Sequence, residues 1–330
     1  MIGVRPVRKV WMQRYFAMAL VVLLGAHRAH AQEDFQWTLA LPAGQGVAPA
    51  DWDEGLWPIG LTPIIGPDSL LWMIDGRAVW SSADAVRWTR VTAQLPFGQR
   101  TDFSFAFHDG KLWVMGGRAG EAFFNDIWFS TDGVTWRNVV RQARWSPRSG
   151  ATALVFDDKL WLIGGYDGRD RRDVWNSNNG LDWYLATPAG AAWPGRVNPV
   201  VTAFNGRLWI LGGGTASARD DVWWSEDGRE WTRSDKTPWA ARYDHAGIAF
   251  RGRLWVFGGA RSEGRWINDV WSSADGETWV ESAEPPWTAR TVEHVVVFDN
   301  KLWVYGGRVG PRGDRGAFVG EIWYLDPAIP

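Results

Sequence analysis

The sequence contains no cysteine. No disulfide can staple the fold, no thiolate can hold a metal or attack a substrate, and no lipid can be attached through an N-terminal Cys. Histidine is also scarce, at five residues, two of which (His27 and His30) lie close to the N-terminus. Beyond residue 31 no apolar run approaches the length of a membrane span, and no stretch carries the 3.6-residue periodicity of an amphipathic helix. There is no H-x-x-x-H, no G-x-S-x-G and no glycine-rich loop leading into a helix, which removes the common zinc, serine-nucleophile and nucleotide signatures.

The N-terminus has a composition of its own. Arg5, Arg8, Lys9 and Arg14 precede the apolar run Phe16–Gly25, and Ala29-His30-Ala31 follows with small residues at both ends. This is the pattern of a secretory signal peptide over residues 1–31, so export to the periplasm or beyond is expected, with residues 32–330 as one domain. Cleavage after Ala31 would remove five basic residues (Arg5, Arg8, Lys9, Arg14 and Arg28) and no acidic one. Thirty basic residues would then face 37 acidic, a net charge of −7. That balance argues against nucleic acid or an anionic membrane as partner.

What the chain has in abundance is tryptophan, 27 residues, and most of it is periodic. One register holds Trp72, Trp113, Trp161, Trp209, Trp255 and Trp303. A second holds Trp80, Trp128, Trp175, Trp223, Trp271 and Trp323, and a third Trp88, Trp136, Trp183, Trp231 and Trp279. The period is close to 48 residues. Each repeat reads as four short strands: an apolar alternation, a tight turn such as Asp109-Gly110 or Asn205-Gly206, a KLWV or RLWV segment stopped by Gly-Gly, and a DVW segment turned by Asp-Gly into a last strand. A fourth set (Trp145, Trp193, Trp239 and Trp287) precedes the first strand. A residue that recurs at one register of every repeat packs repeat against repeat, so these rings are expected in the core. Trp52, Trp57, Trp224 and Trp266 fall outside the registers and are the candidates for surface contact.

These features point to an all-β propeller. The Gly-Gly stop, the aromatic before it and the spaced aromatic after it (Trp255, Gly258-Gly259, Trp279, with four further copies) resemble the Kelch-repeat family. The last repeat ends at its third strand, while Phe35-Gln36-Trp37-Thr38 matches the fourth-strand pattern. The N-terminal strand is therefore expected to complete the last blade and close a six-bladed ring. The first repeat is degenerate, with Asp75-Gly76 for Gly-Gly and Ala83-Asp84-Ala85 for the last turn.

An Arg stands thirteen residues before the first Trp of five repeats: Arg100, Arg148, Arg196, Arg242 and Arg290, with Ile59 in the first. The resemblance implies that this position opens the innermost strand near a channel mouth, where guanidiniums could hold a carboxylate or another anion. The alternative is that each bridges to an Asp of a neighbouring blade or to a backbone carbonyl. Nearby positions that differ between repeats supply further candidates: Asn198, Arg118, Arg261 and Arg308 for ligand binding, and Asp102, Asp244, His245, Glu293 and Tyr166 for acid–base work. The recurring Asp126, Asp173, Asp221 and Asp269 read as turn-fixing residues. The S-x-D-G-x-x-W segments are likewise structural.

Kelch propellers include both binding proteins and enzymes. Galactose-oxidase-like copper chemistry is excluded by the missing Cys, and no metal or other cofactor is expected. The leading expectation is a non-enzymatic, monomeric module that binds a protein, peptide or glycan on its loop face. The segment from Val309 to Val319, which includes Arg312-Gly313-Asp314, is the longest insertion after a Gly-Gly and the expected contact element. The rival, drawn from resemblance to exported sialic-acid-mutarotase Kelch proteins, is an enzyme on acidic sugars.

Overall fold

The computed structural model describes residues 36–42, 63–66, 68–214, 218–234, 237–262, 264–292, 294–310 and 317–326. Residues 1–31, and with them the proposed signal segment, lie outside that set. Every regular element among the described residues is a β-strand. Six four-stranded antiparallel sheets follow one another, and the first strands of consecutive sheets lie side by side around the centre. Blade 3 is representative: Thr152–Phe156, Lys159–Ile163, Val174–Ser177 and Tyr184–Leu185 pair in that order.

The turns are local chemistry. Asp109 and Gly110 (φ 50° and 69°), Asn205 and Gly206 (48° and 71°), and Asp299 and Asn300 (49° and 56°) all take the left-handed conformation that a two-residue hairpin requires. At the other hairpin, Ser130 Oγ accepts the Gly133 N–H at 2.8 Å, and Asp132 Oδ1 accepts the N–H groups of Val134 and Thr135 at 2.9 and 2.7 Å. The S-x-D-G-x-x-W segment is thus a self-satisfying turn, and Trp136 Nε1 closes it on the Gly133 carbonyl.

The ring closes as the sequence predicts. Gln36–Leu41 pairs antiparallel with Ile322–Asp326, placing Trp37 opposite Leu325 and completing blade 6. The aromatics confirm the register. The ring ahead of each blade meets that blade's fourth-strand Trp edge to face: Phe97 on Trp136, Trp145 on Trp183, Trp193 on Trp231, Trp239 on Trp279 and Trp287 on Trp37. Trp37 takes the place of a fourth-strand Trp although it comes from the other end of the chain. At the joint with blade 1, Tyr305 Oη donates to the Ala85 carbonyl at 2.9 Å.

Blades stack through a Trp–Gly contact. The Gly of each outer turn lies on the second-strand Trp of the preceding blade: Gly133 on Trp72, Gly180 on Trp113, Gly228 on Trp161 and Gly276 on Trp209. A methyl group there would come within 2.1–2.2 Å of the indole. Two substitutions separate this packing from backbone strain. Gly110→Ala, with φ +69° and nothing within 4 Å, is expected to cost only the left-handed penalty of about 1–2 kcal/mol. Gly180→Ala, with φ +73° and three Trp113 atoms inside 2.8 Å, should lose a further 1–3 kcal/mol, roughly, from overpacking. Urea unfolding of the two variants checks the difference, and equal losses would refute the packing role.

Candidate functional site

The turns leading into the first strands and the loops after Gly-Gly meet on one face. Thr101 and Arg118 exchange backbone hydrogen bonds at 2.9 Å, as do Tyr243 and Ala260, while Ser149 and Tyr166 do so at 3.0 and 2.8 Å. The loops of blades 2 and 6 are two-stranded hairpins (Arg118–Ala119 with Ala122–Phe123, and Arg308–Val309 with Ala317–Phe318), whereas blade 1 has a tight turn at Asp75-Gly76.

Nearer the centre the backbones of neighbouring blades are tied together. Gly150 N–H donates to the Asp102 carbonyl at 2.7 Å, Asn198 to Gly150 at 2.8 Å and Val292 to Asp244 at 3.4 Å. Asp102, Gly150, Asn198 and Asp244 all have φ between 47° and 61°. Asp, Asn and Gly tolerate that conformation best, so the residue choice here follows the backbone as much as any ligand.

The five arginines do not ring an opening. Arg196 and Arg242 are fully buried and Arg100, Arg148 and Arg290 nearly so. Each forks onto an acid of its own blade. Arg196 Nη1 and Nη2 reach Asp221 Oδ1 and Oδ2, both at 2.8 Å; Arg148 reaches Asp173 at 2.7 and 2.8 Å, and Arg242 reaches Asp269 at 2.6 and 2.8 Å. Arg100 pairs likewise with Asp126, and Arg290 with Glu321 at 3.0 Å. In four blades Nη1 also donates to the carbonyl of the first Gly of Gly-Gly, at 2.7–3.1 Å. The acid's second partner is the next Trp, as in Trp223 Nε1 to Asp221 at 2.8 Å.

The arginine backbone, by contrast, belongs to the preceding blade. Arg148 N–H donates to the Phe124 carbonyl and its own carbonyl accepts from Gly117; Arg196 does the same with Arg171 and Gly165. Arg148, Arg196, Arg242 and Arg290 therefore each clasp two blades, with the backbone on one and the guanidinium in the next.

A profile described as the KLHDC2/KLHL20/DRC7 Kelch-repeats domain matches residues 71–213. The chain is a six-bladed β-propeller, and the matched part carries Kelch repeats. Among solved structures it is similar to YjhT, with a TM-score of 0.64 over 79% of this chain and 92% of that one, at 17% identity. That likeness speaks for the fold alone. No curated protein sequence matches the chain.

Within this propeller the sequence-derived candidates separate. The five arginines are structural residues, correcting the expectation of an anion-binding ring, and their acids lie in the same blade rather than in a neighbouring one. Asp126, Asp173, Asp221 and Asp269 hold guanidinium and indole rather than fixing a turn. Glu321 is the sixth-blade equivalent; its place two residues before Trp323 was the signal that could have found it. His245 is 8% exposed, and its Nε2 donates to the Leu211 carbonyl of blade 4 at 2.9 Å, a blade-to-blade bond. Burial, aided by the Arg242 charge, lowers its pKa from 6.5 to about 3, so the ring is neutral at physiological pH. A sealed imidazole committed to a carbonyl is a poor general base.

The remaining candidates do lie on the loop face. Asp102 is half-buried and accepts Arg118 Nε at 2.8 Å. Asp244, Asn198 and Arg261 are exposed, Arg308 is half-buried in the blade 6 hairpin, and Tyr166, 38% exposed, meets Phe123 edge to face at 5.9 Å. Glu293, residues 311–316, Trp52, Trp57 and Ile59 lie outside the described residues. Trp224 and Trp266 are half-buried, and Trp224 lies beneath Arg207 at 3.8 Å.

Two pH effects follow. Burial raises the Asp221 pKa, but the Arg196 hydrogen bonds and charge outweigh it and hold the carboxyl below 3.8. Its contribution is present above the unfolded value and is lost as pH falls through the folded one. Asp221→Asn should cost roughly 3–5 kcal/mol at pH 7 because it strands Arg196, and the gap from wild type should narrow below that folded value. His245 acts at higher pH. Below 6.5 the unfolded chain takes a proton that the folded state refuses, so stability falls as pH drops from 6.5 toward 3, by up to about 1.4 kcal/mol per pH unit. His245→Gln should flatten that part of the curve in urea titrations at stepped pH; an unchanged slope would sink the assignment.

Proposed function

We propose that this chain is an exported Kelch propeller that binds a protein or peptide partner through its loop face. The observation that carries the reading is the division of labour on that face. The residues repeated in most blades are consumed in holding the ring together, whereas the loops after Gly-Gly change in length, hairpin content and charge from blade to blade. Asp102, Arg118, Asp244 and Arg261 place charge of both signs at exposed or half-buried positions there. Varied, partly charged loops on a rigid ring suit recognition of an extended surface. Kelch propellers are common scaffolds for protein interaction, which supports the same reading. Export rests on the N-terminal pattern of residues 1–31.

The rival reading, turnover of an acidic sugar, has less support now that five guanidiniums are engaged in ion pairs and His245 is neutral and sealed. Because Arg242 and Arg290 hold blades together, substituting them would test the fold and not the ligand.

The discriminating variant is Arg118→Glu with Arg261→Glu, both exposed. Wild type and variant, immobilised and exposed to envelope extract of the producing organism, should melt at nearly the same temperature. A partner held by the wild type and lost by the variant is expected, and capture that ignores the two substitutions would overturn the loop-face assignment. A melting shift with free sialic or uronic acids, absent with neutral sugars, would move the balance to the sugar enzyme. Intact mass of the exported protein should correspond to a chain starting at Gln32.

A further inference from the structure

At the end of the propeller opposite the loop face the blades alternate at one position: Ser81, Asn176 and Ser272 stand opposite the second-strand Trp of blades 1, 3 and 5, and a ring stands there in the other three. In blades 2, 4 and 6 the third-strand residue opposite the second-strand Trp is itself aromatic: Phe129 opposite Trp113, Trp224 opposite Trp209 and Tyr324 opposite Trp303. These rings pack on the Trp with centroids 5.4, 6.4 and 5.0 Å apart. A cation from the start of the second strand covers each: Lys111 over Phe129 at 6.0 Å, Arg207 over Trp224 at 3.8 Å and Lys301 over Tyr324 at 4.9 Å. Trp, ring and cation form one unit.

Blade 3 keeps two of the three parts. Trp161 is in place and Lys159 stands where Lys111 stands, tied to Asp157 at 3.0 Å as Lys111 is tied to Asp109 at 2.6 Å. The residue opposite Trp161, however, is Asn176. A hollow of about 440 Å³ opens between this face of blade 3 and the outer turn of blade 4, lined by Lys159, Trp161, Asn176, Asn178, Tyr184 and Glu226 among others. Its volume is within the roughly 300–1,000 Å³ range of small-ligand sites. Tyr184, 57% exposed, forms an aromatic wall. A second hollow of about 610 Å³ shares Leu185, Ala186 and Arg229 with the first and prolongs it along blade 3.

We propose that this hollow binds an aromatic ring with a hydrogen-bonding edge, an indole or a phenol, either free or as the side chain of a partner. The ring would occupy the level that Phe129, Trp224 and Tyr324 fill in their own blades, with the Lys159 ammonium available for a cation–π contact. The Asn176 amide oxygen supplies an acceptor for an indole N–H or a phenol O–H, and Glu226, whose Oε1 is held by Arg207 at 3.0 Å, offers its other oxygen. The site is separate from the loop face, so it stands or falls independently of the partner-binding reading.

The test uses 5-fluoroindole as a fluorine NMR probe, with N-acetyltryptophanamide and methyl glucoside as competitors. Wild type should bind the probe at millimolar concentration. Competition by N-acetyltryptophanamide would identify a side-chain source and its failure a free aromatic; both are consistent with the site. Asn176→Phe, which supplies the ring from within, should melt higher than wild type and weaken binding by at least about tenfold. Lys159→Met should weaken it by roughly two- to fivefold. Trp224→Asn should open a second site under Arg207 and raise the stoichiometry. Probe binding untouched by Asn176→Phe, no binding at all, or displacement by methyl glucoside alone would each overturn the proposal.

Discussion

The structure depends on a buried arginine whose two halves serve different blades. Burying a guanidinium and a carboxylate is costly, and the pair gains little net stability over a well-packed apolar replacement. What the fork supplies is geometry. Two parallel N–H···O contacts to a carboxylate, a third to a glycine carbonyl and a backbone sewn to the previous blade admit one orientation between neighbours. With the joints at Arg148, Arg196 and Arg242 set fully this way, and those at Arg100 and Arg290 in part, the loops after Gly-Gly are released from much structural duty and can diverge. Sequence variety on one face is thus a consequence of invariance just beneath it.

Tryptophan and glycine set the blade spacing on the opposite side. An indole of one blade receives the bare Cα of the next blade's turn, so the two surfaces approach more closely than any side chain would permit. The scheme tolerates variation at its edge, where the ring beside the indole is present in three blades and replaced by Ser81, Asn176 and Ser272 in the others. A repeat protein makes such exceptions informative, because its other blades show what the exception replaces.

The repeat, the six blades, the hairpin turns and the closure by Trp37 were legible in the sequence. Each rests on a pattern repeated several times, and repetition averages out local ambiguity. The role of the arginines was not legible, since a periodic charge reads the same whether it points to a channel or into a carboxylate. Only the side-chain direction decides, and spacing does not encode it. The loop-face residues Asp102, Asn198 and Asp244 looked like chemical variety. Their shared left-handed backbone shows that a steric requirement selected among the three residue types that satisfy it. Asn176 escaped notice for the opposite reason: a polar residue in a third strand, like Ser81 and Ser272 in other blades, carries no signal until the hollow beside it is seen.

The strand that closes blade 6 has a consequence for how the chain is made. Gln36–Leu41 leaves the ribosome before any blade exists, yet its partner Ile322–Asp326 is synthesised only after the other five blades. Five blades can assemble from neighbouring sequence, but the sixth must join the first and last strands of the ring, the strand pairing with the greatest loop-closure entropy. Until then both strands present unpaired edges, the species most prone to joining another chain. Completion of the ring therefore waits for Ile322–Asp326, and a chain truncated or stalled before it cannot close however well its blades have formed.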